Sequence, residues 1–302
     1  MNKKEHRYRF FFLLLLFSLP AFSVSSLQAV EKQSLYEKVA VAELIVLSTI
    51  VVDDAKYVLA TIDEILKGTY QEESIQVSFR KENFESKPGE DKITFRTGER
   101  AVLFLEPAKR SSGKVKKKIF TLIGRAEGKL SVSEESITLL LDAIKRFVRI
   151  QALKNQLQIW DEHKKLLEEK NHFMVEAGLQ EIVKFRTADP NIIPQILEFS
   201  RGNTPRFRLY SMLILRQLFE GEANGKTRIE GREEIVRTLR EKARRDEDPS
   251  VRIEAIRAIK TVGTEDDIDL LETISRTDKS QDVRYEAQKV LYEMKSEGKL
   301  NK

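Results

Sequence analysis

Apolar residues in the second half of the chain follow the spacing of a helix face, and that face recurs at a fixed interval. Four of them stand at positions i, i+4, i+7 and i+8: Val251, Ala255, Ala258 and Ile259. A step of 32 residues gives the same face again: Val283, Ala287, Val290 and Leu291. This spacing is typical of an amphipathic helix. Because a single helix pair cannot bury its apolar side, the repetition predicts a stack of helix pairs.

Two earlier copies of the same face precede these. A step of 44 residues back from the Val251 group gives one copy: Phe207, Ser211, Ile214 and Leu215. A further step of 32 gives the other: Val175, Leu179, Ile182 and Val183. The 12 extra residues in the larger step match the glycine-rich segment 220–231, which is predicted to be a surface loop whose deletion leaves folding nearly intact. Second helices are predicted between these first helices, around residues 192–197, 235–239 and 268–274.

Residues 30–132 show instead the short alternation of apolar and polar positions that is typical of strands. Six stretches predict strands, at residues 39–52, 57–66, 74–79, 100–105, 118–123 and 129–132. Lys67-Gly68 and Glu106-Pro107 mark turns between them, and residues 84–91 are predicted to be a loop. Many short strands separated by turns predict a small barrel or sandwich.

Residues 133–172 return to helical spacing, and one long helix or two shorter ones are expected there. Ser131 or Ser133 is expected to cap the start of this region, where Glu134 and Glu135 suit the positive end of the helix dipole. The chain is therefore predicted to be an α+β protein of two domains. A β-barrel or sandwich occupies residues 30–132, linking helices occupy 133–172, and a short helical stack occupies 173–302.

The first 29 residues have the three-part layout of a secretory signal peptide. Four Lys and Arg residues stand near the start, residues 10–19 form an apolar stretch, and small residues follow Pro20. Cleavage is expected after Ala29, with Ser23 as a second candidate site. The apolar stretch is shorter than the ~18–20 residues that cross a bilayer, which favours a removed leader over an uncleaved anchor. The sequence thus predicts a periplasmic or secreted protein that is not inserted in the membrane after cleavage.

The net charge and the lack of cysteine limit the classes of partner and of chemical site that the protein can have. Of the formal net charge of +5, the leader supplies four basic residues and one glutamate, which leaves about +2 for the rest of the chain. So small a charge gives no support for a nucleic-acid partner. The chain has no cysteine, which excludes disulfides, thiolate metal sites, cysteine nucleophiles and the cysteine that carries a bacterial lipid anchor.

Residues that carry chemistry are few, and no catalytic, cofactor or metal site is predicted. His163 and His172 lie nine residues apart and would point to opposite sides of one helix, so both are predicted to be surface residues. No phosphate-binding loop, serine elbow or zinc-protease motif occurs. Asp53-Asp54 fits a turn, and Asp266-Asp267 fits the first turn of a helix. Carboxylates that meet from distant segments are the catalytic alternative.

A basic run at residues 109–118 is the candidate contact for an anion. Its cations surround Ser111-Ser112-Gly113 and include four lysines: Lys114, Lys116, Lys117 and Lys118. The run either binds lipid headgroups, a polysaccharide or nucleic acid, or is the solvated tip of a hairpin. No aromatic residue lies within it, which weakens the nucleic-acid interpretation.

The last two repeats resemble HEAT-like repeats of the short kind also found in bilin lyases. The resemblance lies in Asp248-Pro249-Ser250-Val251-Arg252-Ile253-Glu254-Ala255 and its echo Gln281-Asp282-Val283-Arg284-Tyr285-Glu286-Ala287. It extends over residues 173–296 and implies a right-handed α-solenoid that binds other proteins, without implying lyase activity. Its structural positions are Val251, Arg252, Ala255, Val283, Arg284 and Ala287. The valines and alanines are expected to pack, and arginine is expected to pair with glutamate along or between repeats.

The first half of the chain resembles a domain that is frequent in exported bacterial proteins. The resemblance lies in Glu64-Ile65-Leu66-Lys67-Gly68 and in Thr97-Gly98-Glu99-Arg100-Ala101-Val102-Leu103-Phe104-Leu105. It implies an OB-like barrel of the netrin or metalloprotease-inhibitor type. The N-terminal cysteine and the cross-links of the animal inhibitors are absent, so inhibition is not implied.

These observations predict a non-enzymatic protein-binding or scaffold protein of the bacterial cell envelope. Its partner is expected to be a protein, and no cofactor is expected. Two alternatives stay open: an inhibitor or regulator of an envelope enzyme that acts through the β domain, and an enzyme with a site of dispersed carboxylates. The sequence leaves the oligomeric state undetermined.

Overall fold

The computed structural model describes residues 33–54, 57–78, 93–108, 119–186, 189–225, 228–264 and 266–296. From Ser34 onward these residues form one compact unit. The predicted leader, the predicted loop at 84–91 and the basic run at 109–118, with Lys114, Lys116, Lys117 and Lys118, lie outside the described residues.

Five strands close into a barrel behind a short helix. The elements are α1 (Leu35–Val41), β1 (Leu44–Asp53), β2 (Tyr57–Lys67), β3 (Ser74–Ser78), β4 (Arg100–Pro107), β5 (Phe120–Leu122) and β6 (Lys129–Ser131). Strand β1 pairs antiparallel with both β2 and β4, β2 pairs antiparallel with β3, and β5 pairs parallel with β3 and antiparallel with β4. This ring resolves the choice between barrel and sandwich. Strand β6 lies along β4 beside β5.

Strands β1 and β4 are buried on both faces, because one face lines the barrel and the other meets helices. In β1, Leu44 and Val46 belong to the barrel interior, whereas Ile45 and Leu47 belong to a core shared with helices. Strand β4 alternates in the same way. Strands covered on both faces read as continuous apolar runs rather than as alternating ones.

The prediction of a strand from residue 39 is wrong for its first residues, because they belong to α1. Ser34 starts that helix with a capping box: its hydroxyl accepts from the backbone N–H of Glu37 at 3.1 Å, and the Glu37 carboxylate accepts from the backbone N–H of Ser34 at 2.8 Å. The helix ends at Val41, and the strand begins at Leu44. An apolar run alone does not distinguish these elements.

Nine longer helices follow the barrel. They are α2 (Glu134–Gln151), α3 (Gln156–Leu166), α4 (His172–Phe185), α5 (Ile193–Arg201), α6 (Pro205–Ala223), α7 (Arg232–Arg245), α8 (Pro249–Val262), α9 (Asp266–Thr277) and α10 (Gln281–Ser296), as far as the described residues extend. The linking region is thus two helices, and Ser133 caps the first of them. The predicted first helices are α4, α6, α8 and α10, and the second helices are α5, α7 and α9. This confirms the α+β fold class of a barrel followed by a helical stack.

The barrel and the stack share helix α4. Met174 and Ala177 of this helix join the core between the barrel and α2, while Val175 and Leu179 join the core of the stack. Tyr36, Phe104 and Phe147 are in the first of these cores. No described helix carries an apolar stretch long enough to span a bilayer.

The prediction that residues 220–231 form a surface loop is wrong at both ends, for a different reason at each. Helix α6 continues through Ala223, and Ile229 is buried in the core of the stack. The Glu222 carboxylate accepts from the backbone N–H of Ile229 at 3.3 Å. Deleting all 12 residues would therefore remove the last turn of α6 and a core side chain. The glycine count of the segment gave no sign of either.

Candidate functional site

The repeat positions predicted from the sequence lie in the interior of the stack, except for one at its end. Val251, Ala255, Val283 and Ala287 are fully buried in its core. Arg252 is also buried, with 2% of its surface exposed, whereas Arg284 in α10 is half-buried. A guanidinium this deep in a protein must be paired and hydrogen-bonded.

Arg252 fastens together two loops of the stack. Its Nε and Nη2 atoms each donate to a carboxylate oxygen of Asp278 at 2.9 Å. Its Nη1 atom donates to the backbone carbonyls of Asp246 and Glu247 at 2.7 and 3.2 Å. Arg252 thus forms hydrogen bonds with the loop before its own helix and with the loop before α10, and so joins the two loops. Two parallel bonds to one carboxylate are the geometry for which arginine is suited.

The preceding repeat contains the same arrangement 44 residues earlier. Arg208 donates to the two carboxylate oxygens of Asp246 at 2.8 and 3.0 Å and to the carbonyls of Gly202 and Asn203. Burial alone would raise the pKa of the Asp246 carboxyl, but the hydrogen bonds and charge of Arg208 hold that pKa below its usual range. We call Arg208–Asp246 and Arg252–Asp278 the loop clamps.

A second row of ion pairs joins the first helices to one another. Arg216 of α6 donates to Glu254 of α8 at 2.8 Å. Arg257 of α8 donates to both carboxylate oxygens of Glu286 in α10 at 2.9 and 3.1 Å. Lys260 of α8 lies 2.8 Å from a carboxylate oxygen of Glu293 in α10. Glutamates of the repeat motif therefore pair with arginines of neighbouring repeats, but the motif arginine Arg252 is not one of these, because it binds Asp278.

These ion pairs line an open groove that runs across α6, α8 and α10, which we call the first-helix groove. Its volume is about 380 Å³, and its walls are charged: Arg216, Glu220, Arg257, Lys260, Glu286 and Lys289. Thr261 also lines it. Burial would raise the pKa of Glu286, but Arg257 keeps it below the usual range, so the carboxylate is ionised near neutral pH. The groove thus offers charges of both signs at fixed positions.

The acidic pair at the start of α9 has a structural partner that the sequence did not reveal. Asp267 is fully buried and accepts from Arg240 of α7 at 2.7 and 3.1 Å. It also accepts from the backbone N–H of Thr264 at 2.9 Å, so it caps the helix as well. Among the described residues, no group of three or more His, Asp or Glu side chains is arranged to hold a metal ion.

The prediction that His163 is a surface residue is wrong. Its side chain is 1% exposed, and its ring lies 5.2 Å from that of Tyr36 and 5.8 Å from that of Phe185. Neither ring nitrogen has a hydrogen-bond partner among the residues that the structure describes. The residues that enclose it come from α1 and α4, so the charged sequence around His163 gave no signal of its burial. His172 is exposed, as predicted.

Burial of His163 predicts a loss of stability in acid. Burial, helped by the charge of Lys184, lowers the pKa of His163 to about 4 from its usual 6.5. As the pH falls from 6.5 to 4, the unfolded chain takes up a proton that the folded chain does not, so up to about 3 kcal/mol of stability is lost in this window. Urea unfolding of His163→Leu at several pH values should show a shallower decline than the wild type. His172→Leu is the matched control and should retain the wild-type slope.

Comparison with known proteins supports the repeat assignment. A family model described as HEAT repeats matches residues 225–291, which include α7, α8 and α9. No curated protein matches the chain. A solved structure described as an engineered protein of a structural genomics consortium is 16% identical, covers 52% of this chain and 76% of its own, and has a TM-score of 0.38. The family match confirms HEAT-like repeats for residues 225–291, and such repeats indicate a role in protein interaction or scaffolding.

Proposed function

We propose that this chain is an exported bacterial protein that binds another protein in the cell envelope and acts as a scaffold rather than an enzyme. The observation that carries the proposal is the first-helix groove. Three successive first helices build it, and it is open to solvent and edged by cations and carboxylates. A repeat stack has a long, open surface of this kind, which suits contact with a folded protein or an extended peptide.

The groove can be tested by blocking it. Thr261→Arg places a long cation in its wall, and Thr273→Arg makes the same change on α9, where Thr273 is exposed outside the groove. The chain from residue 30 onward should capture a specific protein from envelope extract of its native host. We expect Thr261→Arg to lose that protein and Thr273→Arg to keep it, with circular dichroism showing both folded. Equal capture by the two variants would contradict binding in the groove.

The whole compact unit is the appropriate bait. Helix α4 gives Met174 and Ala177 to the core next to the barrel, so a fragment starting at residue 173 would expose them.

A second candidate function, regulation of an envelope enzyme through the barrel, is favoured by the strand order. The barrel is a five-stranded ring in which β3 and β5 are parallel. This strand order supports an OB-like barrel, a fold that commonly serves to bind ligands. Capture that survives Thr261→Arg but is lost on Val51→Lys, at an exposed position of β1, would favour this candidate.

Export is the part of the proposal that rests on the sequence alone. The basic start, short apolar stretch and small residues before position 30 support removal of a leader. N-terminal sequencing of the protein from its native host should find a chain that begins near residue 30. A chain that still begins at Met1 would contradict export by this route.

A further inference from the structure

Helix α10 is the last described helix of the stack. The face of α8 that binds the next repeat has an equivalent on α10, and no described residue of a further repeat covers it. Three positions of α8 bind the next repeat, and a fourth packs against the core of the stack. Arg252 binds Asp278, Arg257 binds Glu286, Lys260 binds Glu293, and Ile253 packs against the core of the stack. A step of 32 residues converts these positions into Arg284, Lys289, Tyr292 and Tyr285 of α10. We call these four residues the end face.

The end face is exposed and its cations are not matched by carboxylates of a further repeat. Tyr285 is 67% exposed and Tyr292 is 75% exposed, although Ile253 and its counterpart Leu209 are partly buried. Arg284 donates through Nη1 to the carbonyl of Asp278 at 2.6 Å, as Arg252 does to that of Asp246, so it has the orientation of a loop clamp. Among the described residues no carboxylate lies across from it. In the part of the chain that the structure describes, Lys289 reaches only Glu286 of its own helix, at 3.9 Å.

The chain itself shows what chemistry covers such a face. In α10 and the loop before it, Asp278 reaches Arg252, and Glu286, eight residues later, reaches Arg257. In the repeat before, Asp246 reaches Arg208, and Glu254, again eight residues later, reaches Arg216. In both repeats, therefore, two cations of one first helix are bound by the following segment, through an aspartate before its helix and a glutamate eight residues later.

We propose that the end face of α10 binds an acidic amphipathic helix of a partner protein, which adds to the stack as a further repeat would. Arg284 and Lys289 each bind one carboxylate of that helix, and Tyr285 and Tyr292 pack against its apolar side. The partner is not a second copy of this helix meeting the same face, because that would bring Arg284 and Lys289 against like charges. This inference rests on the proposed protein-binding role and names the chemistry of the partner.

The probe is a labelled peptide that copies residues 278–296, since this segment carries the docking pattern on the stack itself. Fluorescence anisotropy with the chain from residue 30 onward should show saturable binding that weakens as salt is added. Arg284→Gln with Lys289→Gln should weaken binding at least about 10-fold, because two charge-paired contacts are lost. Removing two exposed arginines of α7 by Arg237→Gln with Arg244→Gln is the matched control and should leave binding unchanged.

Charge exchange gives the decisive comparison. A peptide with Asp278→Lys and Glu286→Lys should fail on the wild-type chain and recover on the Arg284→Glu, Lys289→Glu chain. Peptide binding that ignores Arg284 and Lys289 would mean that the peptide has displaced α10 or binds elsewhere, and would overturn the proposal. A dimer of the chain that these substitutions dissociate in sedimentation would overturn it in favour of a second copy as occupant.

The proposed protein-binding function and the inference about the end face can fail independently of each other. If the chain captures no envelope protein, the protein-binding role falls, whatever the peptide does. If it captures one that Thr261→Arg displaces, while the peptide does not bind the end face, the role stands and this inference falls.

Discussion

Ala255→Glu is expected to unfold the stack or leave it barely stable. Ala255 has no exposed surface and lies in the same core as Ile256 and Ile259. A glutamate there would place a carboxylate in an apolar core, at a cost on the order of several kcal/mol. For a domain of this size such a loss lowers the melting temperature by about 10 °C or more. Differential scanning calorimetry of the chain from residue 30 onward measures the shift.

The matched control puts the same residue on the outside of the next first helix. Gln288 is exposed in α10, so Gln288→Glu should change stability by no more than about 0.5 kcal/mol. Equal melting temperatures for the two variants would show that the α8 helix is not packed as described. A loss confined to Ala255→Glu would fit its position in the core.

Asp278→Ala is expected to cost about 3–5 kcal/mol, because it leaves a guanidinium buried without its carboxylate. Arg252 is 2% exposed and places two of its donors on Asp278. The substitution also removes the oxygen that accepts from the backbone N–H of Ser280 at 2.8 Å. Asp278→Asn keeps an acceptor at that place, so it should lose less stability than Asp278→Ala. Urea unfolding gives the free energies.

Exposed ion pairs of α9 provide the comparison, because Glu272 of that helix also lies 3.2 Å from the amine of Lys295, which is 52% exposed. Glu272 accepts from Arg276, whose side chain is 76% exposed, and Glu272→Ala should cost about 0–1 kcal/mol. The ratio of the two losses tests whether the loop clamps hold the repeats together. Losses of the same size would mean that Arg252 is well solvated and that the clamp adds little.

The repeat was predictable because its signal is periodic. The core positions around Val251 and Ala255 recur around Val283 and Ala287, and a recurrence of that length identifies helix pairs without any knowledge of their contacts. The barrel was predictable as a set of short strands. Its closure was not, because closure depends on β3 meeting β5, and these strands are separated in sequence by residues with no pattern that encodes their pairing.

The errors arose where distant segments decide the environment. His163 lies in charged sequence, and the rings that pack against it, Tyr36 and Phe185, come from other helices. The strand predicted from residue 39 failed because a local capping box at Ser34 and Glu37 competes with the β preference of valine. The loop clamps were not predicted: the motif arginine was expected to pair with glutamate, whereas Arg252 binds Asp278. Their partners, Asp246 and Asp278, recur with the same step of 32 residues, but they stand in loops, outside the apolar helix positions that carried the repeat signal.

The shared helix α4 has a consequence for how the protein would orient a partner bound to the stack. Because this helix gives side chains to both cores, the barrel cannot swivel on the stack without pulling Met174 and Ala177, or Val175 and Leu179, into water. Domains joined only by a linker sample many relative orientations. Here a protein bound to the stack would instead have one fixed orientation relative to the barrel. The length of the stack would then determine the distance between that protein and the barrel.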